Sequence, residues 1–132
     1  MGYMRRGGMT VPTRLAELAI LIAARAWTAQ FAWYAHEPQA LAAGVDPKVV
    51  EAIKHRRPPA FERDDEATIY AFATELLEKR AISEPTYAKA LALLGEQTLI
   101  DLVNLLGFYQ FVATTLVAFG VEPPGGQLPL GD

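Results

Sequence analysis

Cysteine is absent from this chain of 132 residues, and its absence excludes several kinds of chemistry. The protein can form no disulfide, no thiolate nucleophile and no cysteine-based metal site. Histidine is scarce, with two residues in the chain, so a metal site would need both of them together with carboxylates. The two histidines are not close to each other in the sequence. We therefore predict no metal site and no bound cofactor.

An excess of basic residues is also missing. The chain has 12 Lys and Arg residues against 15 Asp and Glu residues, which gives a formal net charge of −3. Proteins that bind nucleic acid carry basic surfaces that neutralise its phosphates. We therefore predict no nucleic-acid partner.

A clean membrane-spanning run is missing too. The most apolar stretch, residues 99–119, is long enough to span a bilayer. It is interrupted by polar residues that are costly to bury in lipid, namely Asp101, Asn104, Gln110, Thr114 and Thr115. The apolar run at 15–24 follows Arg5 and Arg6 as in a signal peptide, but Glu17 interrupts it. These patterns predict a cytoplasmic protein without a membrane partner.

The alternation of apolar and polar residues that is typical of strands is absent, whereas apolar residues recur at helical spacing. We expect an all-α fold, a compact bundle of about five to six helices over residues 13–121, with a helical hairpin at its core. Residues 1–12 are expected to be a flexible N-terminal segment. Residues 122–132 form a Pro/Gly-rich tail that we expect to be extended or disordered.

Individual residues predict where these helices begin and end. Thr13, Thr28, Asp46 before Pro47, Asp64 or Asp65, and Ser83 are suited to helix starts. Helix ends are expected at Trp27, Gly44, Pro58, Gly95 and Gly120. Pro38 predicts a kink or a restart near Glu37, because proline removes a backbone donor.

Glu17 and His36 are the two residues that carry the functional hypothesis. On one unbroken helix they would be about 28 Å apart, which is too far for a shared site. A chain reversal at Trp27-Thr28 would make a helical hairpin and return the two side chains to similar heights. Alternatively, Glu17 pairs with Arg14 on the surface and His36 is an ordinary core or surface histidine. The apolar neighbours Ile20 and Leu21 argue against an exposed Glu17.

Other charged residues allow a plainer interpretation. His55 is suited to a solvated position near a helix C-terminus, where positive charge is favoured. Arg56, Arg57 and Arg63 surround two prolines and could contact an anionic substrate. The plainer interpretation, which the sequence favours, is that these arginines belong to a charged surface loop.

The stretch ELAILIAARAWTAQFAWYAHEP, residues 17–38, resembles the core motif of the carboxymuconolactone decarboxylase family, whose relatives include alkylhydroperoxidase D-like proteins. In the peroxidase-type relatives the motif is Glu, then Cys-x-x-Cys, then His. Here Glu17 and His36 keep their spacing, but Ala29 and Ala32 occupy the cysteine positions. The segment 90–119 is similar to the closing helix of the decarboxylase-like branch.

This resemblance implies an all-helical, alkylhydroperoxidase D-like fold that assembles as a homotrimer or homohexamer. It also implies a lyase that decarboxylates a small carboxylated lactone in the degradation of aromatic compounds. Two departures bear on that reaction. Position 32 is Ala where many decarboxylase-like members have an acidic residue, and the N-terminal helices of full-length decarboxylases do not precede the motif.

A cofactor-free decarboxylation or related proton transfer needs a dry pocket, a proton donor and a group that stabilises negative charge. We predict His36 as proton donor, Glu17 as the group that orients it, and Arg25 as partner of the substrate carboxylate. Further substrate-binding candidates are Trp27, Phe31 and Tyr34, which could equally be core residues. The alternative is a non-catalytic oligomeric relative that binds a small molecule or a partner. Thiol peroxidase activity is excluded by the lack of cysteine.

Overall fold

The computed structural model of the protein describes residues 10–131, and every regular element in that range is helical. Within these residues, five α-helices follow one another: α1 Thr13–Ala26, α2 Gln30–Ala42, α3 Pro47–Lys54, α4 Asp64–Thr74 and α5 Glu84–Ala118. Helix α4 continues as a π-helical turn, Glu75–Lys79, and a short 3₁₀ turn, Pro124–Gly126, follows α5. The predicted all-α class is therefore confirmed.

Helix α1 is the centre of the bundle. It packs against α2, α4 and α5, and also contacts α3. Its apolar residues surround the helix axis on all sides, and Leu18, Leu21 and Ala23 are fully buried. A helix that is apolar all round needs neighbours on all sides, which explains why the other helices assemble around it.

The chain reverses between α1 and α2, where the sequence predicts a break. Thr28 has a positive φ of 48°, a backbone conformation that is uncommon for a β-branched residue. Its amide donates to the carbonyl of Arg25, and the amide of Ala29 donates to the carbonyl of Ala24. These two bonds form a Schellman motif, which ends α1 and turns the chain.

Three expectations about helix boundaries need correction. Pro12, not Thr13, is the N-cap of α1, and Ala29, not Thr28, is the N-cap of α2. Pro38 lies inside α2 without ending it. The burial of side chains on both sides of Pro38, including Trp33 and Ala40, holds the helix together despite one missing backbone donor.

Other predicted boundaries agree with the structure. Asp46 caps α3 by accepting a bond from the amide of Lys48 at 2.9 Å, and the hydroxyl of Ser83 caps α5. Gly95 has non-helical angles, φ 80° and ψ 166°, which kink α5 between its residues 84–94 and 96–118. The break that Gly95 predicts is therefore present within one long helix.

The Pro/Gly-rich tail is docked on the bundle, in contrast to the extended or disordered tail that its composition predicts. Leu130 is buried. The Gln30 side chain accepts from the Leu130 amide at 2.9 Å and donates to the Gly131 carbonyl at 2.6 Å. A specific side-chain partner, which composition does not reveal, holds the tail in place. The predicted flexible segment 1–12 lies mostly outside the described residues.

One helix within residues 10–131, Glu84–Ala118, is long and apolar enough to cross a membrane by length and composition. Core helices of soluble proteins pass the same test, so this is a weak indication of a membrane span. The cytoplasmic location stays a prediction.

The sequence left open whether Arg14 pairs with Glu17, and the structure gives Arg14 other partners. Its guanidinium contacts Asp65 at 2.5 Å and Glu66 at 2.6 Å. The Glu66 side chain is 1% exposed, so its charge depends on this contact. The hydrogen bond from Arg14 holds the pKa of Asp65 below its ordinary value. This ion pair ties the start of α1 to the start of α4.

We predict that Arg14→Ala lowers the free energy of unfolding at pH 7 by about 3 kcal/mol, because it leaves Glu66 as an unpaired buried charge. Asp65→Asn should lower it less, by about 1 kcal/mol, since Asp65 is partly exposed. The contribution of Asp65 is present above its unfolded pKa of about 3.9 and is lost as the pH falls through the lower folded value.

Urea unfolding at pH 7 and at pH 3 measures both effects. The stability difference between wild type and Asp65→Asn should shrink at the lower pH. Lys89→Gln is the matched control, because Lys89 forms an exposed ion pair with Asp64 and should change stability by no more than about 0.5 kcal/mol. An Arg14→Ala protein as stable as this control would contradict the assigned role of the ion pair.

Candidate functional site

The chain reversal at Thr28 brings Glu17 on α1 and His36 on α2 into direct contact. The Glu17 Oε1 and His36 Nδ1 atoms are 2.8 Å apart, and both side chains are buried. A carboxylate is stable in such surroundings only with a hydrogen-bond partner, and the imidazole supplies one. The hairpin that the spacing predicts therefore exists, and the catalytic roles of the two residues stay predictions.

The contact with Glu17 determines how His36 can exchange a proton. An ionised carboxylate can only accept a hydrogen bond, so the proton on His36 is held at Nδ1. The opposite nitrogen, Nε2, is then the atom that gains or gives up a proton. Glu17 thus acts on the orientation and the tautomer of the imidazole.

Tyr109 on α5 is a third polar residue of this site, and the sequence interpretation missed it. Its hydroxyl is 3.4 Å from Nε2 of His36, and the two rings meet edge to face at 5.3 Å between centroids. Tyr109 is buried in the inward stripe of α5 with Leu102, Leu105 and Leu106. A tyrosine in an otherwise aliphatic stripe was the available signal, since a buried hydroxyl usually needs a partner.

A pocket of about 280 Å³ opens beside this triad. Its wall is apolar except for His36 and Tyr109, and the other lining residues are Phe31, Ala32, Ala35, Phe108, Val112 and Leu116. Few polar groups in an apolar cavity are typical of small-molecule sites. Ala32, at one of the two positions where the peroxidase-type motif has cysteine, faces this pocket, whereas Ala29 is buried without lining it.

The predicted substrate-binding residues are divided between this pocket and other places. Phe31 lines the pocket. Trp27 and Tyr34 do not, and each is 38% exposed at the surface. The alternative interpretation, that both are core residues, is also wrong. Trp27 lies in the turn after α1, and Tyr34 lies on the outer side of α2.

Arg25 also lies away from the His36 pocket, which corrects the prediction that it meets a carboxylate there. Eight positions after Glu17 on α1, it lies about 12 Å further along the helix axis. Its guanidinium donates to the carbonyls of Lys54 at 2.9 Å and Leu130 at 3.2 Å. Burial, and secondly the charge of Arg56, lower the pKa of Arg25. Arg25 and Glu17 lie on neighbouring sides of α1, but their separation along the helix axis keeps Arg25 out of the His36 pocket.

Metal ligation has no visible basis in the described part of the chain. No group of three His, Asp or Glu side chains within residues 10–131 is arranged to hold a metal ion. His55 contacts Glu51 at 2.8 Å on the exposed side of α3. His55 therefore lies at the surface near the end of a helix, as the sequence predicts.

No protein-family model, curated protein or solved structure matches the chain. The resemblance to the carboxymuconolactone decarboxylase family therefore rests on the sequence motif alone.

Proposed function

We propose that the protein is a carboxymuconolactone decarboxylase-like lyase, which performs a cofactor-free decarboxylation or a related proton transfer on a small carboxylated lactone or ring compound. The observation that carries the proposal is the buried 2.8 Å contact between Glu17 and His36 at the edge of an apolar pocket. Such a pair gives a dry site one oriented proton-transfer group.

In the proposed reaction, the bond between the ring and the substrate carboxylate breaks and CO₂ leaves. The electron pair moves into the conjugated carbonyl of the lactone and forms a dienolate. Protonated His36 gives its Nε2 proton to carbon and completes the enol-lactone. The imidazole then regains a proton from solvent. Tyr109, next to Nε2, is positioned to donate a hydrogen bond to the developing negative charge.

The apolar wall of the pocket supports loss of CO₂. A carboxylate that leaves water for an apolar cavity loses its hydration, whereas CO₂ is neutral and tolerates the same surroundings. Desolvation of this kind raises the ground state relative to a transition state in which charge is dispersed. The aliphatic residues Val112 and Leu116 and the ring of Phe108 form most of that wall.

The same wall favours one alternative, a non-catalytic relative that binds a small molecule. Its lining within residues 10–131 contains no arginine or lysine, so among these residues a substrate carboxylate would have the imidazolium of His36 as its positive partner. A neutral or weakly polar ligand would fit the lining without chemistry. Turnover, rather than binding, is therefore the deciding measurement.

An alkylhydroperoxidase D-like arrangement and a homotrimeric or homohexameric assembly are part of this proposal. Support for assembly comes from α5, which carries several exposed apolar side chains, since exposed apolar patches mark interaction surfaces. Those exposed by 40% or more include Tyr87, Ile100, Val103, Phe111 and Val117. Ile100 and Val103 share an apolar groove of about 330 Å³ with Tyr87 and Leu91.

We predict that His36→Ala abolishes turnover, with a loss of at least about 100-fold, because it removes the proton-transfer group. Glu17→Gln should lower turnover less than Glu17→Leu, since the amide oxygen of Gln still accepts the Nδ1 proton and keeps the tautomer. Release of CO₂ from a panel of small carboxylated lactones and β-keto acids measures the activity.

His55→Ala and Glu51→Gln are the matched controls, because they alter the exposed His–Glu pair and should leave turnover unchanged. Circular dichroism and light scattering establish that each variant is folded and assembled. Full turnover in folded His36→Ala would rule out the proposed acid–base role. Equal losses of turnover in the His36 and Glu17 variants and in the His55 and Glu51 controls would also rule it out.

We predict no thiol-dependent peroxidase activity, because Ala29 and Ala32 cannot form a thiolate. Consumption of hydrogen peroxide coupled to a dithiol donor should equal the buffer control. The double variant Ala29→Cys/Ala32→Cys is the comparison, since it has cysteine at both positions where the peroxidase-type motif has it. Peroxide turnover by metal-free wild-type protein above the control would contradict the proposal.

We predict a homotrimer or homohexamer at micromolar concentration by light scattering. Ile100→Glu should shift the equilibrium toward monomer, because it places a charge in the exposed apolar groove of α5. Lys89→Gln, also on α5 but at an exposed polar position, is the matched control and should not change the mass. A monomeric wild-type protein under these conditions would refute the assembly.

A further inference from the structure

A second pocket, distinct from the one beside His36, is lined by three arginines. Arg25 comes from the last turn of α1, and Arg56 and Arg57 follow the end of α3. The pocket has a volume of about 110 Å³. A single ordered water needs about 10–15 Å³ of such space, so there is room for several waters or for a small polyatomic ion.

The arginines of this pocket form no ion pair with the described residues, although Glu78 is part of the pocket wall. None of the three arginines has a carboxylate within 4.0 Å in residues 10–131. The Nε–H of Arg25 is buried and has no hydrogen-bond partner in that range. A buried donor without a partner costs free energy that a bound acceptor would recover.

Arg56 reaches Arg25 from a turn with an uncommon backbone conformation. Arg56 has a positive φ of 57°, close to that of Thr28 at 48°. Each is the residue after a helix end, in a Schellman motif where glycine is the usual choice. The Arg56 guanidinium donates to the Arg25 carbonyl at 3.3 Å and to the Thr28 hydroxyl at 3.2 Å. The Arg25 and Arg56 guanidinium groups, two like charges, therefore meet at the Thr28 hydroxyl.

The remaining polar groups of the wall restrict the ligand. Tyr70 and Thr74 supply hydroxyl groups, and Glu78 supplies one carboxylate. The Glu78 charge repels a fully ionised ligand but accepts a hydrogen bond from a ligand that keeps one acidic proton or a hydroxyl group. Arginine forks fit oxygen atoms that are spaced as in a phosphate or a carboxylate.

We infer that this pocket binds a small oxyanion of the size of inorganic phosphate, held by Arg25, Arg56 and Arg57. The site is separate from the proposed reaction at His36 and does not depend on it. Because the pocket lies where α1, α3 and α4 meet, the anion would connect the ends of α1 and α3 to the C-terminal part of α4 and to the π-helical turn that follows it.

Isothermal titration of the full chain with inorganic phosphate at pH 7 and constant ionic strength tests this inference. Wild type should bind phosphate saturably with one site, and chloride should give no signal. Arg57→Gln should weaken binding about tenfold by removing a charge-assisted bond. Arg57 is the residue to change, because Arg25 and Arg56 also hold the backbone. Arg57→Lys should be intermediate, since lysine retains the charge but loses the fork.

Arg63→Gln is the matched control, because it removes one positive charge from the same loop outside the pocket lining and should change affinity by less than twofold. His36→Ala should bind phosphate like wild type, which separates this site from the proposed catalytic one. Absence of saturable binding to wild type, or equal weakening by Arg57→Gln and Arg63→Gln, would overturn the inference.

Discussion

The buried contact between Glu17 and His36 is the constraint on which the arrangement of the bundle depends. Two polar side chains lie in an apolar part of the protein, and the contact between them gives each a buried hydrogen-bond partner. They can meet only if α1 and α2 run antiparallel with one register, so the contact and the turn at Thr28 specify each other. Slippage of α2 along α1 would leave a carboxylate unpaired in the core, at a cost of several kcal/mol. The contact thus fixes α2 on α1 in the register that places the imidazole of His36 beside the pocket.

The turn at Thr28 links the His36 pocket to the arginine-lined pocket. On one side it sets the register of Glu17 and His36, and on the other its hydroxyl accepts bonds from Arg25 and Arg56. The tail reinforces this corner, because Arg25 and Gln30 both hold the backbone near Leu130. A left-handed threonine is an uncommon choice for a helix end. The contacts of its hydroxyl give a physical reason for threonine here, since glycine would form the turn but would lose both bonds.

Local sequence signals predicted the helical class, several helix ends and the turn near Thr28 that brings Glu17 and His36 together. These signals act through local backbone geometry, which neighbouring residues determine. Examples are Pro47 after Asp46, Gly95 and the break near Thr28. The positions of Arg25 and Tyr109 were not predictable in the same way. The site of Arg25 depends on its displacement along α1 and on carbonyls from distant segments. Tyr109 reaches His36 across a difference of 73 positions in the chain, so only the packing of α5 reveals the contact.

The distribution of charge between the two pockets limits what the His36 site can do. Arg25, Arg56 and Arg57 line the other pocket, and the described polar groups of the His36 pocket are an imidazole and a phenol. Under the proposed function, chemistry there would use proton transfer and hydrogen bonding rather than the fixed positive charge of an arginine. A substrate carboxylate would enter without an arginine to stabilise its ground state. Such an environment weakens binding of the carboxylate but favours its loss as CO₂, since stabilisation of the ground state alone would raise the barrier. The position of Arg25 outside this pocket, which removes one predicted substrate contact, is thus compatible with decarboxylation and unsuited to tight anion binding.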